Sequence, residues 1–290
     1  MQEPIPELRR PHVIASLRPW IDAGSVGSLS LARLERHLGA NDLACLATPG
    51  KFFDFTRYRP VVYYVDGKRK MTIPNTLIRY AIGQGEHDFI LLHLLEPHSS
   101  SEEYIDSMAA FFEHFKVQQY CRIGGMYDAV PHTRPLIVTG SLNGEELTGV
   151  LGVTPPRRSP YQGPTSIVNL LSDKARDMGV DNLSLMVRLP QYVQLDEDYT
   201  GSSRLLGVLS HIYDLPKELS VSRRGTRQYE RVSAEMERNT GVKALVEQLE
   251  NDYDSSMDSS VEGEAPSEEG PPPLSPSVEK FLKELGENLS

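Results

Sequence analysis

Two proline-locked segments carry the side chains best suited to chemistry: Pro131–His132–Thr133–Arg134–Pro135 and Tyr161–Gln162–Gly163–Pro164–Thr165. Proline fixes φ and pushes the preceding residue toward extended backbone, so Thr133–Arg134 fits neither a helix interior nor a central strand. A rigid loop holding an imidazole, a hydroxyl and a guanidinium is the usual platform for binding or docking. Around it stands a wider polar set: Asp22, Asp54, Arg57, Arg59, Glu96, His98, Tyr192 and Thr165. Several follow apolar runs of the strand type, and in open parallel sheets ligands bind beyond the carboxyl ends of the strands. Carboxylates, imidazoles and guanidinium groups gathered there could hold an anion or run acid–base chemistry. The competing reading is an internal ion-pair network, with Asp22 or Asp54 against Arg57, Arg59 or Arg134. The spacing does not separate the two.

Familiar catalytic signatures are missing. Ala23–Gly24–Ser25–Val26–Gly27 is too sparse for a dinucleotide fingerprint and suits a helix starting close to a sheet. No phosphate-binding Gly-Lys-Ser/Thr, no Gly-x-Ser-x-Gly elbow and no His-Glu-x-x-His occurs. Cys45 and Cys121 each sit in an apolar stretch and read as buried thiols on strands, too few for a zinc site or a disulfide framework. No cofactor and no metal are expected.

The elements that must position the polar set alternate. His12–Arg18 reads as a first buried strand, about Ser25 to Leu38 as an amphipathic helix, and Leu43–Thr48 as a strand completing a parallel βαβ unit. Asp66–Gly67 between Val61–Val65 and Lys70–Ile73 is a hairpin signal. Asp88–Leu95 is apolar enough to be covered on both faces. A helix over Ser101–Phe115, strands at Gln119–Gly124, Leu136–Thr139 and Leu183–Leu189, and helices at Thr165–Met178 and Ser203–Tyr213 continue the alternation. The expectation is an α/β three-layer sandwich, mostly parallel with one hairpin, spanning 1–222, with a helical extension at 223–253 packed on it.

The chain has 290 residues and a formal charge of −10, of which −8 falls after Asp252's neighbour Asn251, leaving the folded part nearly neutral. No basic run interleaved with aromatics suggests nucleic acid. No run approaches the length of a membrane span and the N-terminus lacks a signal-type apolar core, so the chain reads as soluble and cytoplasmic. Residues 254–274, rich in Ser, Glu, Pro and Gly, are expected to lack structure. Residues 275–290 are expected to form a short amphipathic helix whose Val278, Phe281, Leu282 and Leu285 are candidates for docking on this domain or on a partner.

These residues resemble the proteasome assembly chaperone 2 family. The likeness rests on Asp22–Ala23–Gly24, Phe53–Asp54–Phe55 with Arg59–Pro60, Glu96–Pro97, Pro131–Pro135, Tyr161–Thr165 and Pro190–Val193, in order from about His12 to Leu219. The first motif departs from the family's Gly-Trp-Asn-Asp-Ala-Gly, reading Arg18–Pro19–Trp20–Ile21 before Asp22. The resemblance implies a phosphorylase/hydrolase-like fold, homo-oligomers that are often trimers, and, for the eukaryotic and archaeal branches, chaperoning of proteasome subunits. The final Glu287–Asn288–Leu289–Ser290 lacks the hydrophobic–Tyr–any ending of archaeal members, which counts against docking of that kind. Two functions follow: a non-catalytic assembly chaperone or scaffold that self-associates and binds partner proteins, or a small-ligand binder or enzyme (hydrolase-, phosphorylase- or ATP-grasp-like) using a strand-end pocket around His132 and Arg134.

Overall fold

The computed structural model describes residues 3–147, 150, 153–154, 165–238 and 240–262. Chain order is β1 (His12–Arg18), α1 (Val26–Leu38), β2 (Asn41–Cys45), β3 (Val61–Val65), β4 (Lys68–Thr72), β5 (Leu77–Ala81), β6 (Phe89–Leu95), α2 (Ser101–Phe115), β7 (Gln119–Asp128), β8 (Val138–Leu142), β9 (Glu145–Glu146), β10 (Val153–Thr154), α3 (Ile167–Asp177), β11 (Asp181–Pro190), α4 (Tyr199–Ile212), α5 (Arg223–Met236) and α6 (Thr240–Glu262). Among the described residues these strands form one nine-stranded sheet, in the order β10-β8-β11-β7-β1-β6-β5-β2 with β9 on β8, and a separate pair, β3-β4.

The sheet's centre is parallel: β6, β1, β7 and β11 run together, with His12 opposite both Phe89 and Gln119. Side chains alternate across it with the strand period of two. Val13, Ala15 and Leu17 of β1 join the α2 and α3 side, where Tyr104, Phe112, Val168 and Leu171 pack. Ile14 faces the α1, α4, α5 and α6 side with Leu31, Leu205, Val232 and Leu249. Helices on both faces make the three-layer α/β sandwich, and the helical extension packs its Val232, Met236, Val242 and Val246 into the same core.

Three expectations change. β2 runs in the direction of β1 but is not its neighbour, because β6 takes that place and antiparallel β5, which the apolar pattern does not announce, intervenes. The uniformly apolar Phe-Ile-Leu-Leu-His-Leu-Leu of β6 suits a central strand, whereas β2 exposes Asn41 and Asp42 and suits an edge. Edge position also leaves Cys45 exposed, while Cys121 in β7 is buried. Finally, α6 runs on to Glu262, past the point where loss of structure was expected. Residues 263–290, and with them Val278, Phe281, Leu282 and Leu285, lie outside the described residues, as does Tyr161. No helix among the described residues is long and apolar enough to cross a membrane.

The Asp66–Gly67 hairpin forms as its turn chemistry requires. Asp66 and Gly67 take φ of 51° and 73°, and Val65 pairs with Lys68. Among the described residues its strands pair only with each other, and every residue of both is exposed.

Candidate functional site

Asp22 sits where β1 hands over to α1. Its Oδ1 accepts the backbone N–H of Gly27 (2.7 Å) and Ser28 (3.1 Å), and its Oδ2 accepts the Ser28 hydroxyl (2.5 Å). A carboxylate on the first turn of a helix satisfies orphan donors and complements the helix dipole. Burial raises its pKa, and the Ser28 and Gly27 donors work against that rise. Gly27 is required for this closeness, since a Cβ there would stand 2.3 Å from Ser16 Oγ. Asp22 is therefore committed to holding α1 against β1 and makes no ion pair among the described residues.

A cleft of about 850 Å³ opens beyond the carboxyl ends of β1 and β6. Asp54, Glu96 and Thr165 line it, joined by Arg57, His98, Ser166 and an apolar wall of Pro19, Trp20, Phe53 and Tyr58. Glu96, the residue after β6, turns its Oε1 onto the N–H of Ile167 at the start of α3 (2.9 Å). Its Oε2 is buried without a partner among the described residues, as is the hydroxyl of Ser166. Burial raises the Glu96 pKa, opposed by the Ile167 N–H and His98. Asp54 is exposed and accepts both the N–H and the hydroxyl of Thr56 (2.8 and 2.7 Å), which hold its carboxyl below the ordinary range, while its own N–H donates to His98 Nδ1 (3.1 Å). Arg57 and Arg59 are exposed and hold no ion pair among the described residues.

His132, Arg134 and Tyr192 do not belong to that cleft. His132 is buried beneath α5, and its backbone N–H and both ring nitrogens are engaged. The Tyr192 hydroxyl oxygen accepts the His132 backbone N–H (2.8 Å) and lies 2.7 Å from Nδ1, while Nε2 lies 3.0 Å from Ser233 Oγ. Ser233 Oγ in turn donates to the carbonyl of Tyr229 (3.0 Å). One assignment satisfies the whole chain: Tyr192 O–H donates to Nδ1, and Nε2–H donates to Ser233. The ring is thus neutral, and burial pulls its pKa down to about 4. Arg134 forms ion pairs with Glu250 (3.0 Å) and Asp254 (2.7 Å) on α6, and Thr133 donates to Glu250. The expected strand-end site thus divides. Its His132–Arg134 part binds the helical extension to the sheet, because α5 and α6 cover the loop; its Glu96–Asp54 part remains open.

Several residues of consequence carry no sequence motif. Asp198 caps α4 through the N–H of Gly201 (2.7 Å) and accepts the Tyr229 hydroxyl (2.8 Å). Glu35 on α1 meets His93 of β6 (2.6 Å) and Arg79 of β5 (2.8 Å). For Arg134 a signal existed: Glu250 and Asp254, four apart, share one helical face. No cluster of three or more His, Cys, Asp or Glu among the described residues is arranged to hold a metal ion.

The PAC2 family model matches residues 16–238. Among solved structures, a PAC2 family protein of Streptomyces avermitilis is 26% identical with a TM-score of 0.71, covering 81% of this chain and 99% of its own. A proteasome-assembly chaperone homologue of Mycobacterium tuberculosis is 21% identical (TM-score 0.66; 82% and 98% covered). An archaeal proteasome activator of Pyrococcus furiosus is 16% identical (TM-score 0.57; 88% and 95% covered). No curated protein matches the sequence. With a fold shared along nearly the full length of these structures and a family match running from β1 through α5, the chain belongs to the PAC2 family.

Proposed function

We propose that this protein is a non-catalytic assembly chaperone or scaffold that self-associates, as a trimer or another homo-oligomer, and binds proteasome-type partner subunits. The observation that carries this reading is the β3–β4 hairpin. Val61, Val62, Tyr63, Tyr64, Val65 and Met71 are all exposed on it, Tyr64 at 70%. A two-stranded hairpin with no covering layer is marginal in water, and an apolar arm of this kind marks a protein–protein surface. Arg59, Lys68, Arg69 and Lys70 against the single Asp66 make the arm basic, which favours an acidic protein surface as its cover. Family membership and relatives named as a proteasome-assembly chaperone homologue and a proteasome activator support the partner class. The enclosed His132 and the α6-bound Arg134 favour a structural over a catalytic use of that loop.

Sedimentation and light scattering of the full chain test the reading. The expected result is an oligomer that Val62→Glu with Tyr64→Glu converts to a monomer of unchanged helical content, and that retains purified proteasome subunits on a column. A wild-type monomer at micromolar concentration that retains none of them overturns it. The tail contributes a separate expectation: Phe281→Glu with Leu285→Glu weakens retention of subunits without lowering the melting temperature.

A further inference from the structure

The β3–β4 hairpin has two faces, and they differ in charge. Residues opposite each other in an antiparallel pair share a face, and neighbours along a strand alternate. One face therefore carries Val62, Tyr64, Met71 and Arg69. The other carries Val61, Tyr63 and Val65 of β3 beside Lys70 and Lys68 of β4. Its three apolar side chains are 62%, 42% and 39% exposed. A two-stranded hairpin is marginal in water, so each apolar face calls for a cover. The lysine face fits a cover with an apolar stripe about 13 Å long, the length from Val61 to Val65, and carboxylates at its border.

The sequence beyond α6 has that pattern. At the helical period of about 100° per residue, Val278, Phe281, Leu282, Leu285 and Leu289 fall on one side, over about 16 Å. Glu279 and Glu284 border this stripe on its two sides, whereas Lys280 and Lys283 fall opposite it. Whichever way such a helix lies on the hairpin, a carboxylate meets the lysine strand. Residues 263–290 as a whole hold six Glu against two Lys. The tether is also long enough. Arg134, which anchors α6 through Glu250 and Asp254, precedes β8, and the hairpin precedes β5, both at the carboxyl edge of the parallel strands. Strands β8 and β5 are five places apart in the sheet, about 24 Å. From Asp254 to Glu262 α6 runs about 12 Å further, in whichever direction it points. Residues 263–274 reach about 40 Å when extended, which spans the gap to the base of the hairpin either way. A segment tethered within reach of its site binds at a high effective concentration.

We propose that residues 275–290 dock as an amphipathic helix on the Val61, Tyr63 and Val65 face of their own chain's hairpin, with a bordering carboxylate against Lys68 and Lys70. The docked helix buries the stripe that leaves it marginal alone, and the hairpin gains the layer it lacks. The opposite face, with Val62 and Tyr64, stays free for a second copy. The docking therefore stands independently of the self-association reading.

Amide hydrogen exchange of the full-length chain, followed over β3 and β4 by mass spectrometry, tests the docking. In Phe281→Glu with Leu285→Glu the hairpin amides should exchange about tenfold faster than in wild type, while those of β1 keep their rate. Lys68→Glu with Lys70→Glu should speed the hairpin in the same way. Adding Glu279→Lys and Glu284→Lys to that variant should restore most of the protection, because the charges then pair in reverse. Hairpin exchange that is the same in wild type and in the Phe281, Leu285 variant overturns the proposal, as does a charge reversal that restores nothing. Protection in wild type should not change on about twentyfold dilution of the protein. Protection lost on dilution would assign the cover to a second copy and overturn the docking within one chain. The two readings fail separately. A wild-type monomer whose hairpin protection depends on Phe281 and Leu285 supports the docking and counts against self-association, and an oligomer whose hairpin ignores both residues does the reverse.

Discussion

The Tyr192 hydroxyl accepts the backbone N–H of His132 at 2.8 Å and sits 2.7 Å from Nδ1 of the same residue. One phenol oxygen thus fixes both the path of the proline-flanked loop and the tautomer of its imidazole. Tyr192→Phe leaves a buried N–H and a ring nitrogen unpaired together. The expected loss is about 2–4 kcal/mol of unfolding free energy, read from urea denaturation at neutral pH. A loss below a few tenths would mean that the loop is held by packing alone.

The same ring sets a pH dependence. Burial holds His132 at about 4, below its ordinary 6.5. Above 6.5 the folded and unfolded chains both carry a neutral ring and its contribution is fully present. As pH falls below 6.5 only the unfolded chain takes up the proton, so stability declines until the folded ring titrates near 4. His12, also held at about 4 by burial, acts in the same direction. Asp22, Asp198 and Glu96, raised by burial, oppose it at the acid end. The His132→Gln variant isolates the effect: its urea midpoint should fall less steeply through this window than that of wild type. Parallel curves would place the titrating ring elsewhere.

Arg134 should control the docking of α6 more than global stability. Its pairs with Glu250 and Asp254 are partly solvated, and such pairs add little to overall unfolding. Arg134→Ala is expected to leave the melting temperature nearly unchanged while amides of α6 exchange faster by about tenfold. High salt should reproduce the effect in wild type through screening. Protection of α6 that does not respond to the substitution would assign its docking to Val242, Val246 and Leu249 instead.

Gly27→Ala is expected to cost about 1–3 kcal/mol, because the new methyl would meet Ser16 Oγ at 2.3 Å. Ser16 Oγ has no hydrogen-bond partner among the described residues, so Ser16→Gly should recover most of the loss. A double-mutant cycle measures the recovery directly. Additive losses would show that the helix, and not the hydroxyl, moves.

What was legible in the sequence was mostly local. Asp66–Gly67 announced its hairpin because a two-residue turn with both φ positive is written in those two residues. Gly24 and Gly27 announced a close helix start in the same local way, a few residues apart in the sequence. The fate of His132 was not local: its partners Tyr192 and Ser233 lie far along the chain and neither sits at a motif spacing from it. The rule that parallel strands present their carboxyl ends together gives an edge of the sheet and not a face; Glu96 lines the cleft at that edge, whereas His132 lies beneath α5. Strand β5 was missed since Leu77–Ala81 is short and its Arg79, paired with Glu35 and Asp42, interrupts the apolar pattern.

The placement of β1 between β6 and β7 also bears on how this chain comes to be folded. Strand β1 precedes its partners in the chain by a wide margin: its register partners are Phe89 and Gln119, and β7 in turn waits for Asp181. The centre of the sheet is therefore closed by contacts of long sequence separation, the kind that slows folding and leaves apolar strands bare in the interval. A nascent chain that has made Val-Ile-Ala-Ser-Leu and not yet any partner strand is a natural client for the general folding machinery of its own cell.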